Sequence, residues 1–301
     1  MKKLKIRSKF KETLLLLIIW FLIYKFIKRS DLIEVIQESL PSNEGSLMAG
    51  MVWGEKGLIS KDLYSLLLGS GLIHLVVVSG ANLTIVGKNI IENLAAYLGR
   101  KRAIIYGGLL ILIYINLSGW QIPVIRAGLF LMIYYWSQIL GRQFRGGRAL
   151  IVVVLIMFLA NFKILKEVSF WLSVAAFLGL LLSGKEGGFK NTIWVSLFIL
   201  PILSINFGTI NLISPFVNIL VLFLVQATTM IGFIGSLVGL LWRGGGRFIL
   251  SLSYPMLRYL IEVVEMTGKW QWAQLNFQFN WMILIGWYLV IGAYWYGKKK
   301  I

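Results

Sequence analysis

Four short runs hold the residues whose types and spacing could do chemistry. The first is Ile73-His74-Leu-Val-Val-Val-Ser79-Gly80-Ala-Asn82-Leu-Thr84. The Ser79 hydroxyl can cap a new helix and Gly80 permits a sharp turn. Asn82 and Thr84 are then predicted in the first turn of a helix that starts within an apolar run. Such a terminus offers free backbone N–H groups to an anion, phosphate among them. The same Ser, Asn and Thr equally suit hydrogen bonds that hold helices together. His74 is the single histidine. It fits a hydrogen-bonded neutral ring as well as a proton relay or a lining group.

The second run is Ser118-Gly119-Trp120-Gln121-Ile-Pro123-Val-Ile-Arg126-Ala127-Gly128. Arg126 is expected about two turns inside a span whose entry carries Pro123. Its guanidinium stays charged and grips phosphate through a two-pronged fork; the competing role is a side chain that reaches back to the interface. The third run, Glu167-Val-Ser-Phe170-Trp171-Leu172-Ser173, puts Glu167 at a helix start, where a carboxylate complements the dipole. The fourth, Ser214-Pro215-Phe-Val-Asn218, reads as Pro near a helix start with an Asn inside the span.

Other chemistries are excluded. The chain has no cysteine and one histidine, so thiolate centres and a zinc site built by this chain are not expected. No metal and no cofactor is expected. There is no G-x-x-x-x-G-K-[ST] run, so nucleotide hydrolysis is not expected. His74 and Ser79 lie five residues apart on an apolar segment, which is not a triad arrangement. No catalytic residue is assigned, and the chain is expected not to be an enzyme.

Composition fixes the setting for these runs. Of 301 residues, 58% are hydrophobic and 14% charged, with net charge +18. Globular averages are ~45–50% apolar and ~25% charged, so a soluble globular enzyme and a disordered chain are both excluded. The expected fold is all-α, a polytopic transmembrane helical bundle with broken or re-entrant helices. An N-terminal membrane anchor is read at 1–30, a short extracytoplasmic segment at 31–65, the transmembrane core at 66–245, and an amphipathic segment with a last transmembrane helix at 246–301. Within the core, apolar runs are read near 68–98, 103–118, 121–140, 148–162, 168–183, 191–207 and 213–241, with a last one near 280–297. The first and last core runs are long and carry Gly80, Gly87, Gly232 and Gly235, so each is expected to be broken. Lys and Arg collect in every second loop, at 100–102, 142–148, 185–190 and 243–247. The positive-inside rule therefore predicts a cytoplasmic N-terminus, an external 28–65 segment and an internal Arg243.

In this order and spacing, the four runs resemble the competence region of the ComEC family of DNA-uptake proteins. The carriers are Gly71-Leu-Ile-His74…Ser79-Gly80-Ala-Asn82, then Gln121-Ile-Pro123-Val-Ile-Arg126-Ala127, Glu167-Val-Ser169-Phe170-Trp171-Leu172-Ser173 and Ser214-Pro215-Phe-Val-Asn218, with Gly54-Glu55-Lys56 ahead of them. Asn82 stands where the family pattern has a second histidine, Ser169 replaces Gly and Trp171 replaces Gln. There is no room at 28–47 for the family's OB-like domain, and its metallo-β-lactamase-like domain is missing. The resemblance implies a multi-pass inner-membrane channel subunit that passes single-stranded DNA into the cytoplasm during natural transformation. The implied DNA path includes His74, Ser79, Gly80, Asn82, Pro123, Arg126, Glu167, Ser173, Pro215 and Asn218. Implied partners are single-stranded DNA, the lipid bilayer, a cytosolic DNA motor or helicase, a DNA receptor, a separate nuclease and further copies of the chain. A transporter for another solute and a non-transporting membrane scaffold are the alternatives, since helical architecture does not fix function.

Overall fold

The computed structural model describes residues 27–73, 80–183, 189–211, 213–270, 274–277 and 280–299. Most of the anchor read at 1–30 lies outside the described residues. The described chain is helical, apart from one short ribbon. In order come α1 (Arg29–Ser39), α2 (Ser42–Trp53), α3 (Lys61–Gly69), α4 (Gly80–Leu98), α5 (Arg100–Leu117), α6 (Ile122–Ile139), α7 (Gly146–Ala160), a 3-10 turn (Phe162–Lys166), α8 (Val168–Ser183) and α9 (Phe189–Phe207). Then follow β1 (Thr209–Asn211), α10 (Ser214–Leu241), α11 (Arg243–Ser251), α12 (Tyr254–Gly268), β2 (Gln274–Asn276) and α13 (Trp281–Lys299). The ribbon is antiparallel with Ile210 opposite Leu275. It ties the chain just before α10 to the chain just after α12, a pairing that two three-residue strands do not announce in sequence.

The helix ends follow local chemistry. Ser60 caps α3 by accepting the Leu63 N–H at 3.2 Å, and Gly54 ends α2 at φ 72°, the left-handed conformation that glycine adopts without strain. Pro123, Pro215 and Pro255 each sit in the first turn of their helices, where the missing N–H has no partner to lose. Pro255 thus begins α12 and does not kink a span.

The principal core joins α1 and α2 to α3–α6 and α10–α12. The segment 28–65 is the most polar stretch of the sequence, yet Leu32, Val35 and Ile36 of α1 and Met48, Val52 and Trp53 of α2 are almost fully buried. They have no core of their own and share that of the later helices. Trp53, Tyr114 and Phe233 meet with ring centroids 5.7–5.8 Å apart, and the Tyr114 hydroxyl donates to the Val52 carbonyl at 2.9 Å. A second, smaller core forms between α6, α7 and α8 around Val153, Met157 and Phe170.

The run 213–241 was expected to break at its glycines; the structure corrects this. α10 is one continuous helix of 28 residues. Its glycines serve close approach: Gly232 faces Met48 and Val52, Gly235 faces Leu250, and Gly239 faces Val35 and the Gly246 backbone. Small residues three and four apart let three neighbouring helices sink onto one face of α10. α11 and α12 fold back along α10, so the amphipathic face of 246–268 is occupied by protein: Leu257, Leu260, Ile261 and Val264 are buried. In the run 68–98, α3 ends at Gly69 and Gly71 has φ 74°, an interruption ahead of the glycine expected to break the run; the Ser79 side of the expected break at Gly80 lies outside the described residues. Gly87, however, sits within α4 against Leu131 and Ile111.

Two helices, α6 and α10, are long and apolar enough among the described residues to cross a membrane. α7, α8 and stretches of α9 and α13 are apolar but shorter. One orientation assignment fails on geometry. Arg243 at the α10–α11 tip pairs with Glu38 at 3.1 Å and approaches Glu34 at 3.9 Å. An ion pair that close lies on one side of any bilayer, so an external 28–65 segment and an internal Arg243 cannot both hold. The loop charges were counted without this partner, 205 residues away in sequence.

Candidate functional site

The first turn of α6 brings three of the candidate residues together, Gly80, Pro123 and Arg126. Ile122, Ile125, Leu129 and Ile133 turn towards the second core, while Val124, Ala127, Leu131 and Tyr135 turn into the principal one. With 100° per residue, Arg126 falls at the margin between these two faces. Gly80, at the start of the described part of α4, is seated on this turn. A Cβ added there would lie 3.0 Å from Ala127 Cβ and from the Pro123 carbonyl, and 3.9 Å from Arg126 Nη2. The first and second sequence runs therefore touch. A side chain there would require α6 to give by a few tenths of an ångström, so the glycine lets α4 sit close on α6.

Arg126 is half-buried, and its Nη1 is enclosed with no hydrogen-bond partner among the described residues. A buried donor left unpaired costs ~1–3 kcal/mol, and a ligand that pairs with it would offset that cost. No carboxylate forms an ion pair with it among the described residues.

The fourth run arrives from another side. Ser214 Oγ donates to the Gly71 carbonyl at 3.4 Å, and Asn218 Nδ2 donates to Ser214 Oγ at 3.4 Å. Asn218 Oδ1 is buried and unpaired among the described residues. Pro215 holds the first turn of α10 beside them. The first run is thus held at Gly71 by α10 and at Gly80 by α6. His74 and Ser79 lie outside the described residues, and so does the side chain of Asn82 in the first turn of α4.

The third run joins less fully. Phe170 packs against Ile122 and Ile125, which brings the start of α8 to the same end of α6. Glu167 directly precedes α8 in an extended conformation, with its carbonyl accepting the Phe170 N–H at 3.0 Å. That is the helix-start position expected of it. Its side chain is exposed and Ser173 is half-buried, and Glu167 forms no ion pair with Arg126 among the described residues.

One set of neighbours has no local signal in the sequence. Gln121 Nε2 donates to the Gly54 carbonyl at 2.9 Å, with Gln121 Oε1 buried and unpaired among the described residues. Arg29 pairs with Glu55 at 3.2 Å and stands over Gly119. The Gly54-Glu55 turn and the Ser118–Gln121 turn therefore form one surface beside the entry to α6. Their separation along the chain hid the pairing.

A family model described as Competence protein matches residues 51–300, most of the chain. No curated protein and no solved structure matches.

Proposed function

As the chain belongs to the competence protein family, whose role is DNA uptake, we propose that it is a multi-pass inner-membrane subunit that passes single-stranded DNA to the cytoplasm. The membrane part of this reading is supported by apolar side chains on the outside of the bundle. Ile151, Leu155 and Leu159 of α7, Phe216, Leu220 and Phe223 of α10, and Met282, Leu289 and Val290 of α13 are all exposed. Such faces need lipid or protein to cover them. Tilt and packing within the bundle would let the shorter helices cross.

The observation that carries the DNA reading is Arg126, whose Nη1 is buried without a hydrogen-bond partner among the described residues, on the turn of α6 that seats Gly80. Each nucleotide of a strand brings one phosphate charge that lipid does not solvate. A path needs donors that pair with each phosphate in turn and release it. One guanidinium supplies such a donor, and Asn218 Oδ1 and Gln121 Oε1 are further buried polar atoms without a partner among the described residues. His74, Ser79, Asn82, Glu167 and Ser173 remain candidates for the same path. No nucleotide-phosphate loop is present in the sequence, so a cytosolic motor would pull the strand, a receptor would deliver it, and a separate nuclease would remove its complement.

The test is transformation of a deletion strain complemented with variants. Arg126→Gln and Gly80→Leu should each reduce uptake strongly with membrane levels near normal. Arg126→Lys should rescue in part, since charge survives without the fork, and Arg126→Glu should be worst. Wild-type transformation by Arg126→Glu overturns the assignment.

A further inference from the structure

A second polar cleft lies at the opposite end of α4, where it meets the start of α5 and the end of α6. It encloses about 290 Å³ and is open to the surface. Ile91 and Ala95 form its apolar floor, and Glu92, Arg100, Tyr134, Tyr135 and Gln138 line it. Arg100 Nη2 donates to Gln138 Oε1, which fixes the guanidinium across the cleft while using one of its five N–H donors. Glu92 is held only loosely, by Lys88 at 3.9 Å, with both side chains more than half exposed. Tyr135 is 4% exposed, yet its hydroxyl has no hydrogen-bond partner among the described residues.

The cleft thus holds a fixed cation, a loosely tied carboxylate, a tyrosine ring and a buried hydroxyl that lacks a partner. A simple anion would use Arg100 and be repelled by Glu92. A zwitterion uses both: its phosphate takes the guanidinium fork and the Tyr135 O–H, and its ammonium takes Glu92 and a tyrosine face. Tyr97 of α4, Ile105 of α5 and Leu140, just past the end of α6, are exposed apolar residues. They offer a surface for acyl chains, and Arg100-Lys101-Arg102 is a cluster of the kind that sits at headgroup level. We infer that this cleft binds a phosphoethanolamine group carried by a phospholipid. The inference rests on the membrane reading of the bundle and not on the DNA reading.

The experiment titrates dihexanoyl phosphatidylethanolamine, phosphatidylglycerol and phosphatidylcholine into the detergent-purified full chain. Phosphatidylethanolamine should bind at least about tenfold more tightly than the other two, since each charge-assisted bond is worth about that factor. Glu92→Gln and Arg100→Gln should each weaken it about tenfold, and Tyr135→Phe, which removes only the hydroxyl, severalfold. Lys163→Gln, outside the cleft, should change nothing. Equal affinity for the three lipids, or variants indistinguishable from wild type, overturns the inference. Equal binding of free phosphoethanolamine overturns the lipid source, and tighter binding of dCMP with the same variant pattern gives the cleft to a nucleotide instead. Recovery of the chain in the soluble fraction of lysed cells would sink the membrane reading separately.

Discussion

Replacing Arg126 by Met should make the protein more stable and inactive at once. The side chain of Met is unbranched and adaptable, so it can follow the path of the arginine stem between α4 and α6. It removes the enclosed Nη1, which has no partner among the described residues. An unpaired buried donor costs ~1–3 kcal/mol. Some of that is regained by relaxation, so a gain of ~1–2 kcal/mol is expected, a five- to thirtyfold change in the folding equilibrium. Unfolding in detergent is rarely reversible, and the measurement is therefore a half-life at raised temperature, read as the monodisperse fraction on a sizing column. Arg126→Met should lengthen that half-life while transformation falls to background, the trade expected of a strained functional residue. A shortened half-life with normal transformation would refute the reasoning, because Arg126 would then be a structural anchor.

Three further outcomes follow from the packing and the charge pattern. The native sequence lacks cysteine, so single cysteines at 101 and 145 should be shielded from an impermeant label in intact cells, and cysteines at 38 and 243 should share one side because Arg243 pairs with Glu38; opposite labelling of that pair contradicts the ion pair. Gly232→Leu should abolish accumulation of the protein, since Met48 and Val52 occupy the space of the new side chain and overpacking costs ~1–3 kcal/mol or more, whereas Gly286→Leu, with open space around it, should accumulate normally. Purified chain should show no ATP turnover above a mock preparation, as expected without a phosphate-cradling loop; turnover that tracks the protein through purification sinks that.

Periodicity and punctuation made most of the helices readable, because their causes are local. Pro123 and Pro215 mark helix starts in sequence and do so in space. Gly232 and Gly235 do not break α10 as expected, because a glycine that breaks a helix and one that admits a neighbour look the same in one dimension. What separates them is a partner such as Met48 or Leu250. The burial of α1 and α2 was hidden for the same reason. Their polar flanks, Glu34 and Glu38, meet Arg243 only in three dimensions. Within the candidate site, the contact of Gly80 with Pro123 and Arg126 joins two runs that sequence reading had marked separately. The Gln121–Gly54 bond could not be found that way, since neither residue type announces its partner.

The burial of α1 and α2 also bears on how the protein is made. Met48 and Val52 find their place only against Gly232, 232 − 48 = 184 residues later in the chain. At ~5–20 residues per second, the ribosome takes roughly 10–40 s to deliver that surface. For this interval the first helices have emerged with their apolar faces uncovered, while Glu34, Glu38 and Glu44 oppose their stable insertion into lipid. A holding factor at the insertion site, or a provisional position at the membrane surface, must bridge the delay. The final seating of α1 and α2 is thus a late step in biogenesis, although their residues are synthesised well before those of α10.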